Sequence, residues 1–440
     1  MLQEGYLSKE KCATQAKAQR DISFIFLKLS SIFPTLTITT YGGNILGALT
    51  GIRVIDVGLL VQGPQAGQTL ADLGAEVIKV ELPVMGDMAR WIPISMEDLR
   101  TPYFEACNRG KRSITVDLRY KEGAEIFRKL VDSADVLLAN FKPGTLEAWG
   151  LGYDELSESN PGLIYAMGST FGPEGEGSKR EGADLAGQAA GGLISTTGFD
   201  GEPPTPVGAT IADHIGSMNM TVGILAALFA RQTSGKGQRI DVSLLGGQIY
   251  AQASEYTAYL MTGEIPGRSN AGHPLLPMAY GILETADGYI ALVGVLPDKR
   301  QEFYEVVGVP ELIQDERFAP IIYTTEIRKE LFELLAPGFK KKTTEQWGQI
   351  LDDIEVRYAP VNDYDQAAND HLVLENNYLV DLKDSSGNTR RVVGSPIRMS
   401  ATPPQISVEA PQLGQHTEEI LLELGYDWDD IAKLRETPAI

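Results

Sequence analysis

GIRVIDVG (Gly51–Gly58) and AEVIKVEL (Ala75–Leu82) flank a helical pattern that runs from about Gln65 to Leu73. Both flanking runs are rich in β-branched residues, which suit a pleated, buried strand. Gly58 closes the first, and Gly74 separates the helix from the second. A strand, a helix of about this length and a second strand make a crossover unit, which lays the two strands parallel. Outward from it, SITVDL (Ser113–Leu118) alternates polar and apolar residues, as a strand with one buried face does. Lys121 to Ser133 is amphipathic, ADVLLANF (Ala134–Phe141) is a second buried strand, and PGLIYAMGSTFG (Pro161–Gly172) supplies another. Gly51 to about Gly172 is therefore expected to form a doubly wound α/β domain, a parallel sheet covered by helices.

Beyond it, Met218 to Arg231 is apolar enough for a long helix, ended by the turn TSGKGQ (Thr233–Gln238). From about Gly237 to Thr344, strands such as RIDVSLL and GYIALVG mix with helices and Gly-, Pro- and Asn-rich loops. This stretch reads as a smaller α+β domain. The tail returns to helices and a strand pair, DLKDSSGNTRRVVGSPI (Asp381–Ile397). The expected division is an N-terminal extension at 1–49, a Rossmann-like large domain from 50–225 and 345–440, and a linker with the small domain at 226–344. The extension contains DISFIFLKLSSIFPTLTITTY, which is interrupted by Lys28 and Pro34 and falls short of the roughly 20 apolar residues a membrane span needs. Glu4, Glu10 and Asp21 argue against a transit peptide.

The 440 residues carry 59 acidic and 38 basic side chains, a net charge of −21, which argues against a nucleic-acid binder. An anionic ligand must then be held by local clusters of cations rather than by the overall field. Only two cysteines, Cys12 and Cys107, and four histidines are present, with no CxxC or HExxH spacing, so no metal site is expected. The cysteine usage fits a reducing, cytoplasmic setting. No GxGxxG follows the first strand, no GxxxxGK[ST] occurs, and there is no GxSxG elbow, which weakens hydride-transfer, kinase and serine-hydrolase readings.

Two aspartates stand out. Asp184 lies in GADLAGQAAGG (Gly182–Gly192) and Asp213 in VGATIADHIGSM (Val207–Met218). A carboxylate among small residues can be left desolvated, which makes it a stronger base and nucleophile. The plainer reading of Asp184 is a cap on the helix suggested by LAGQAAGGL. NRGKR places Asn108, Arg109, Lys111 and Arg112 before a strand, where they could face one anion. Lys142 in NFKPG and Arg90 in GDMAR are further candidates.

Read in order, GIRVIDVG, LADLGAEVIKVE, GDMAR, NRGKRSITVDL, ANFKPGTLEAWGLGYDEL, GADLAGQAAGGL, VGATIADHIGSM, TSGKGQRIDVSLL and PQLGQHTEEILLELGY resemble the family III CoA-transferases, which include the α-methylacyl-CoA racemases. The resemblance runs from about residue 50 to the end. It implies that Asp184 attacks the thioester of a donor acyl-CoA, forms a mixed anhydride and then an aspartyl-CoA thioester, and passes CoA to a small carboxylic acid acceptor. CoA is a substrate here, with no tightly bound cofactor and no membrane partner. It further implies CoA contacts at Arg90, Asn108, Arg109, Lys111, Arg112, Lys142, Asp213 and Met218, with Val61 and Gln62 bordering the thioester end. The loop GRSNAGHPLLP (Gly267–Pro277) stands where family members carry a lid, and an interlocked homodimer is expected. The racemase branch has a histidine where this chain has Ala183, which favours transfer over racemisation. His214 beside Asp213 could stand in for it, so racemase-type chemistry stays open, as does CoA binding without catalysis.

Overall fold

A computed structural model describes residues 47–269, 272–320 and 322–440. The expected extension therefore lies almost wholly outside the described residues. Six strands, β1 (Arg53–Asp56), β2 (Glu76–Glu81), β3 (Arg112–Thr115), β4 (Val136–Ala139), β5 (Ile164–Ser169) and β6 (Gln238–Ser243), form one sheet in the order β3-β2-β1-β4-β5-β6. Every pairing in it is parallel.

Alternate residues of each strand enter opposite cores, as the two-residue repeat of a strand requires. Val54, Val77, Val136, Leu138, Ile164 and Ala166 meet Ala66 and Leu70 of α1 (Gln62–Asp72) on one face. Ile55, Ile78, Ile114, Leu137 and Tyr165 meet Ile126, Phe127, Leu130 and Val131 of α3 (Lys121–Asp132) on the other, α2 being Pro102–Asn108. The tail completes that second face with Ile420, Leu421, Ile431 and Leu434. Helix α4 (Asp184–Ala190) is short. Helix α5 (Ile211–Ser234) is long and apolar enough to cross a membrane, yet it buries Met220, Ile224, Ala227 and Leu228 against the sheet.

The structure corrects the expected organisation at three points. The strand of RIDVSLL is β6, paired with β5 as the outer strand of the large sheet rather than part of the small domain. The long apolar helix begins at Ile211, before Met218. The small core also extends past 344. Its antiparallel sheet joins β7 (Tyr280–Glu284) and β8 (Tyr289–Val293) to β9 (Tyr358–Pro360), and Trp347, Leu351 and Val356 pack with Phe303, Leu331 and Phe339. A separate hairpin pairs β10 (Leu379–Lys383) with β11 (Thr389–Val393).

Candidate active site

In the large sheet the strand order reverses between β1 and β4, and the loops leaving their carboxyl ends part to open a crevice, the usual ligand site of such sheets. The turn after β1 is held on all sides. Leu60 sits at φ 63, a left-handed conformation that costs a branched residue on the order of 1–2 kcal/mol. The Leu60 N–H donates to Asp87 Oδ1 at 2.9 Å, and the Leu59 N–H donates to Asn140 Oδ1 at 2.7 Å. Asn140 Nδ2 returns a bond to the Leu59 carbonyl at 2.8 Å, and Lys79 Nζ donates to the Gly58 carbonyl at 2.8 Å. The turn is thereby fixed from β2 and β4.

Behind it lies a buried network of charge. Lys111 Nζ is 2.6 Å from Asp56 Oδ2, Lys79 Nζ is 2.9 Å from Asp87 Oδ2, and Arg90 grips Glu81 at 2.8 Å. Burial works against the Asp56 carboxylate, but Lys111 and Lys79 outweigh it and hold its pKa below the ordinary value. Burial likewise pulls Lys79 down, and Asp56 and Asp87 more than restore it. Lys111 is left below its ordinary value by burial.

In this network the side chains of NRGKR that were expected near phosphate all meet protein partners. Lys111 gives its donors to Asp56, the Pro64 carbonyl and Asn108, and Asn108 gives its own to the Phe104 carbonyl. Arg109 forks onto Asp72 at 3.1 and 2.7 Å, and Arg112 bridges Glu76 and Glu423. Arg90 stacks over Phe104, with its donors on Glu81 and the Pro411 carbonyl. These cations carry the scaffold. Met218 is 65 % exposed, and the lining of the crevice does not include it.

The crevice contains a cavity of about 260 Å³ whose lining includes Leu59, Gln62, Asn140, Lys142, Arg180 and Asp213. It shares Leu59, Met88 and Phe141 with an apolar cavity of about 380 Å³ that also reaches Trp91, Arg119 and Trp149. Of the cations expected from sequence, Lys142 alone lines the smaller cavity, where it pairs with Glu181. Asn140, Arg119 and Arg180 were missed. Asn140 stood in the quoted run ANFKPG and Arg180 four residues before Asp184, but neither position has a local signature of pocket lining.

The two aspartates are adjacent and differently placed. Asp184 opens α4 and caps not that helix but the next one. Its Oδ1 accepts the backbone N–H groups of Ala212 (2.7 Å) and Asp213 (3.2 Å) in the first turn of α5. Its Oδ2 accepts Gln188 Nε2 at 2.6 Å. Both oxygens are thus engaged, and Asp184 is not among the residues lining the cavity. Asp213 does line it, and among the described residues no donor is recorded on its carboxylate. Burial, with the neighbouring Asp184 charge second, pushes its pKa from the ordinary 3.8 up to about 7. His214 bonds Gln65 through Nδ1 and Thr210 through Nε2, and burial lowers its pKa.

Gln62, at the start of α1, is 2 % exposed, and its Nε2 is buried with no hydrogen-bond partner among the described residues. Such an orphan costs about 1–3 kcal/mol. Two glycines make room for it: a Cβ on Gly168 would come within 2.4 Å of Gln62 Oε1, and one on Gly216 within 2.7 Å of Nε2. An unmet donor and an unmet acceptor of protons, Gln62 and Asp213, therefore line one small cavity.

The family model described as CoA-transferase family III matches residues 49–417. The chain belongs to CoA-transferase family III. It is 36 % identical over 390 residues to the succinyl-CoA–D-citramalate CoA-transferase of Chloroflexus aurantiacus, covering 88 % of this chain and 96 % of that one. With the succinate–glutarate CoA-transferase of Agrobacterium fabrum it shares 35 % over 382 residues, 86 % of this chain and 95 % of the other. A solved structure of a CaiB/BaiF family protein from Brucella suis superposes with a TM-score of 0.76 at 34 % identity, covering 86 % of this chain and all of that one. This family III chain is a CoA-transferase, acting on CoA thioesters.

Proposed function

We propose that the enzyme moves CoA from an acyl-CoA donor to a carboxylic acid acceptor, and that the attacking carboxylate is Asp213, with Asp184 as its anchor. This reverses the roles inferred from sequence. The observation that carries it is that Asp213 lines the cavity with its carboxylate unbonded, whereas Asp184 spends both oxygens on Gln188 and the start of α5.

A carboxylate kept from water and beside a like charge is a strong nucleophile once ionised, and a value near 7 leaves much of it ionised at neutral pH. Asp213 attacks the thioester carbonyl, an anhydride forms, and CoA leaves as thiolate. The thiolate then attacks the aspartyl carbonyl, the donor acid departs, and Asp213 holds CoA as a thioester. The acceptor carboxylate retraces these steps, so the activation stored in the thioester is kept. Each attack puts negative charge on a carbonyl oxygen, and the free Nε2 of Gln62 is the donor suited to receive it. The anhydride survives only if water is kept from it while it exists.

The apolar cavity beside the site is suited to the body of CoA, and Arg119 at its edge is held by Asp117 at 2.9 and 2.7 Å. A homodimer is part of the same proposal. Its support is the exposed apolar stripe Met218, Val222 and Phe229 on α5, together with Tyr250, Leu260 and Met261, which a second copy would cover. The whole is tested by mass-spectrometric assay of CoA exchange between an acyl-CoA and an isotopically labelled acid. Asp213→Ala is expected to abolish exchange with CoA binding retained, and turnover surviving in that variant would reject the assignment.

A further inference from the structure

Four non-glycine residues have positive φ among the described residues, and of these only Leu60 lines the small cavity. Strain of this kind persists only where the surroundings over-determine it. The Leu60 side chain packs on Ala89, Phe104 and Ala410, and its N–H is held by Asp87. Asp87 is fully buried and lines neither cavity. Its Oδ1 accepts the Leu60 and Ala89 N–H groups, each at 2.9 Å, while its Oδ2 faces Lys79 Nζ at 2.9 Å. Lys79 in turn donates to the Gly58 carbonyl, so one buried ion pair grips the turn at both Gly58 and Leu60. The Asp87 N–H donates to Glu81 Oε2 at 3.0 Å, which ties the loop that carries it back to β2.

Gln62 stands two residues past Leu60, and its Nε2 has no hydrogen-bond partner among the described residues. A donor that must meet an oxyanion cannot also be anchored by the hydrogen it offers. Its aim has to come from the backbone that carries it. Resting on the reading of Gln62 as that donor, we propose that Asp87 is a positioning residue: it holds the turn in its left-handed form and so directs Gln62 into the cavity. The plainer role, a counterion for buried Lys79, leaves half the carboxylate unexplained. Asp56 already lies 4.0 Å from Lys79, and a counterion needs no bond to the N–H of a strained neighbour.

Double-variant comparisons test this. Asp87→Ala should lower kcat for CoA exchange about 10- to 100-fold and leave the Kd of free CoA unchanged. If the effect runs through Gln62, the same substitution in a Gln62→Ala background should cost less than about 3-fold. Glycine adopts positive φ freely, so in a Leu60→Gly background the loss from Asp87→Ala should likewise shrink to less than about 3-fold. Where Asp87→Ala does not fold, Asp87→Asn, which leaves Lys79 facing an amide, serves the same comparisons. A loss of equal size in all three backgrounds would overturn the proposal. So would weakened binding of free CoA with kcat intact, which would make Asp87 a support of the CoA cavity instead. An unchanged kcat in Gln62→Ala alone would remove the oxyanion reading and this inference with it, whereas a damaging Gln62→Ala with a fully additive Asp87 loss strikes only this one.

Discussion

Asp213→Asn should abolish transfer and stabilise the protein, and the size of the gain follows from burial. The Asp213 carboxyl rises from 3.8 to about 7, about three pKa units, with burial the larger cause and Asp184 the smaller. At 1.36 kcal/mol per unit this amounts to about 4 kcal/mol of native-state destabilisation once the group is ionised. The sign follows from proton binding. Between the two values the native state keeps a proton that the unfolded chain has released, so stability declines as pH climbs through that window and the loss is complete above it. An amide of the same shape does not titrate. It still pays for burying a polar group without a partner, so the expected net gain is about 1–3 kcal/mol. Urea unfolding of both proteins from about pH 4 to pH 8 tests this: the gap should be widest at the alkaline end and close toward the acid end. A variant that is no more stable than wild type at the alkaline end, or a gap that does not change with pH, would refute the claim that the fold holds this carboxylate against its preference.

Three further expectations follow. Asp184→Asn removes the second cause of the Asp213 shift, so the acid limb of kcat/KM should move to lower pH, and an unmoved or raised limb would show the two carboxylates uncoupled. Gln62→Ala should cut kcat about 100-fold or more with little change in CoA affinity, whereas an unchanged kcat would take Gln62 out of oxyanion stabilisation. Lys111→Met leaves the buried Asp56 without its 2.6 Å partner and should cost about 3–5 kcal/mol in chemical denaturation. Weakened CoA binding in a fully stable Lys111→Met protein would restore the phosphate role expected from sequence.

The parallel sheet was legible because its signals are local. β1, α1 and β2 each show their own periodicity, and the strand in ADVLLANF is apolar throughout because both its faces are buried. β6 was assigned to the wrong sheet because strand partnership is a tertiary fact: nothing in RIDVSLL encodes its register with Ile164–Ser169. The partners of the NRGKR cations were hidden for a related reason. Arg109 meets Asp72 across 37 residues and Lys111 meets Asp56 across 55, so a local cluster of charge gave no sign that each member already had a partner. The same limit separated the two aspartates. Both stand among small residues in the chain, and only the approach of α4 to the first turn of α5 turns one into a helix cap and leaves the other open to the cavity.

The central claim is which carboxylate becomes bonded to CoA. Enzyme mixed with an acyl-CoA and reduced with borohydride would carry the acylated aspartate as homoserine, and peptide mass mapping would locate it. The change is expected in the peptide containing Asp213 and to vanish in Asp213→Asn. Reduction at Asp184 with Asp213 untouched would contradict the account.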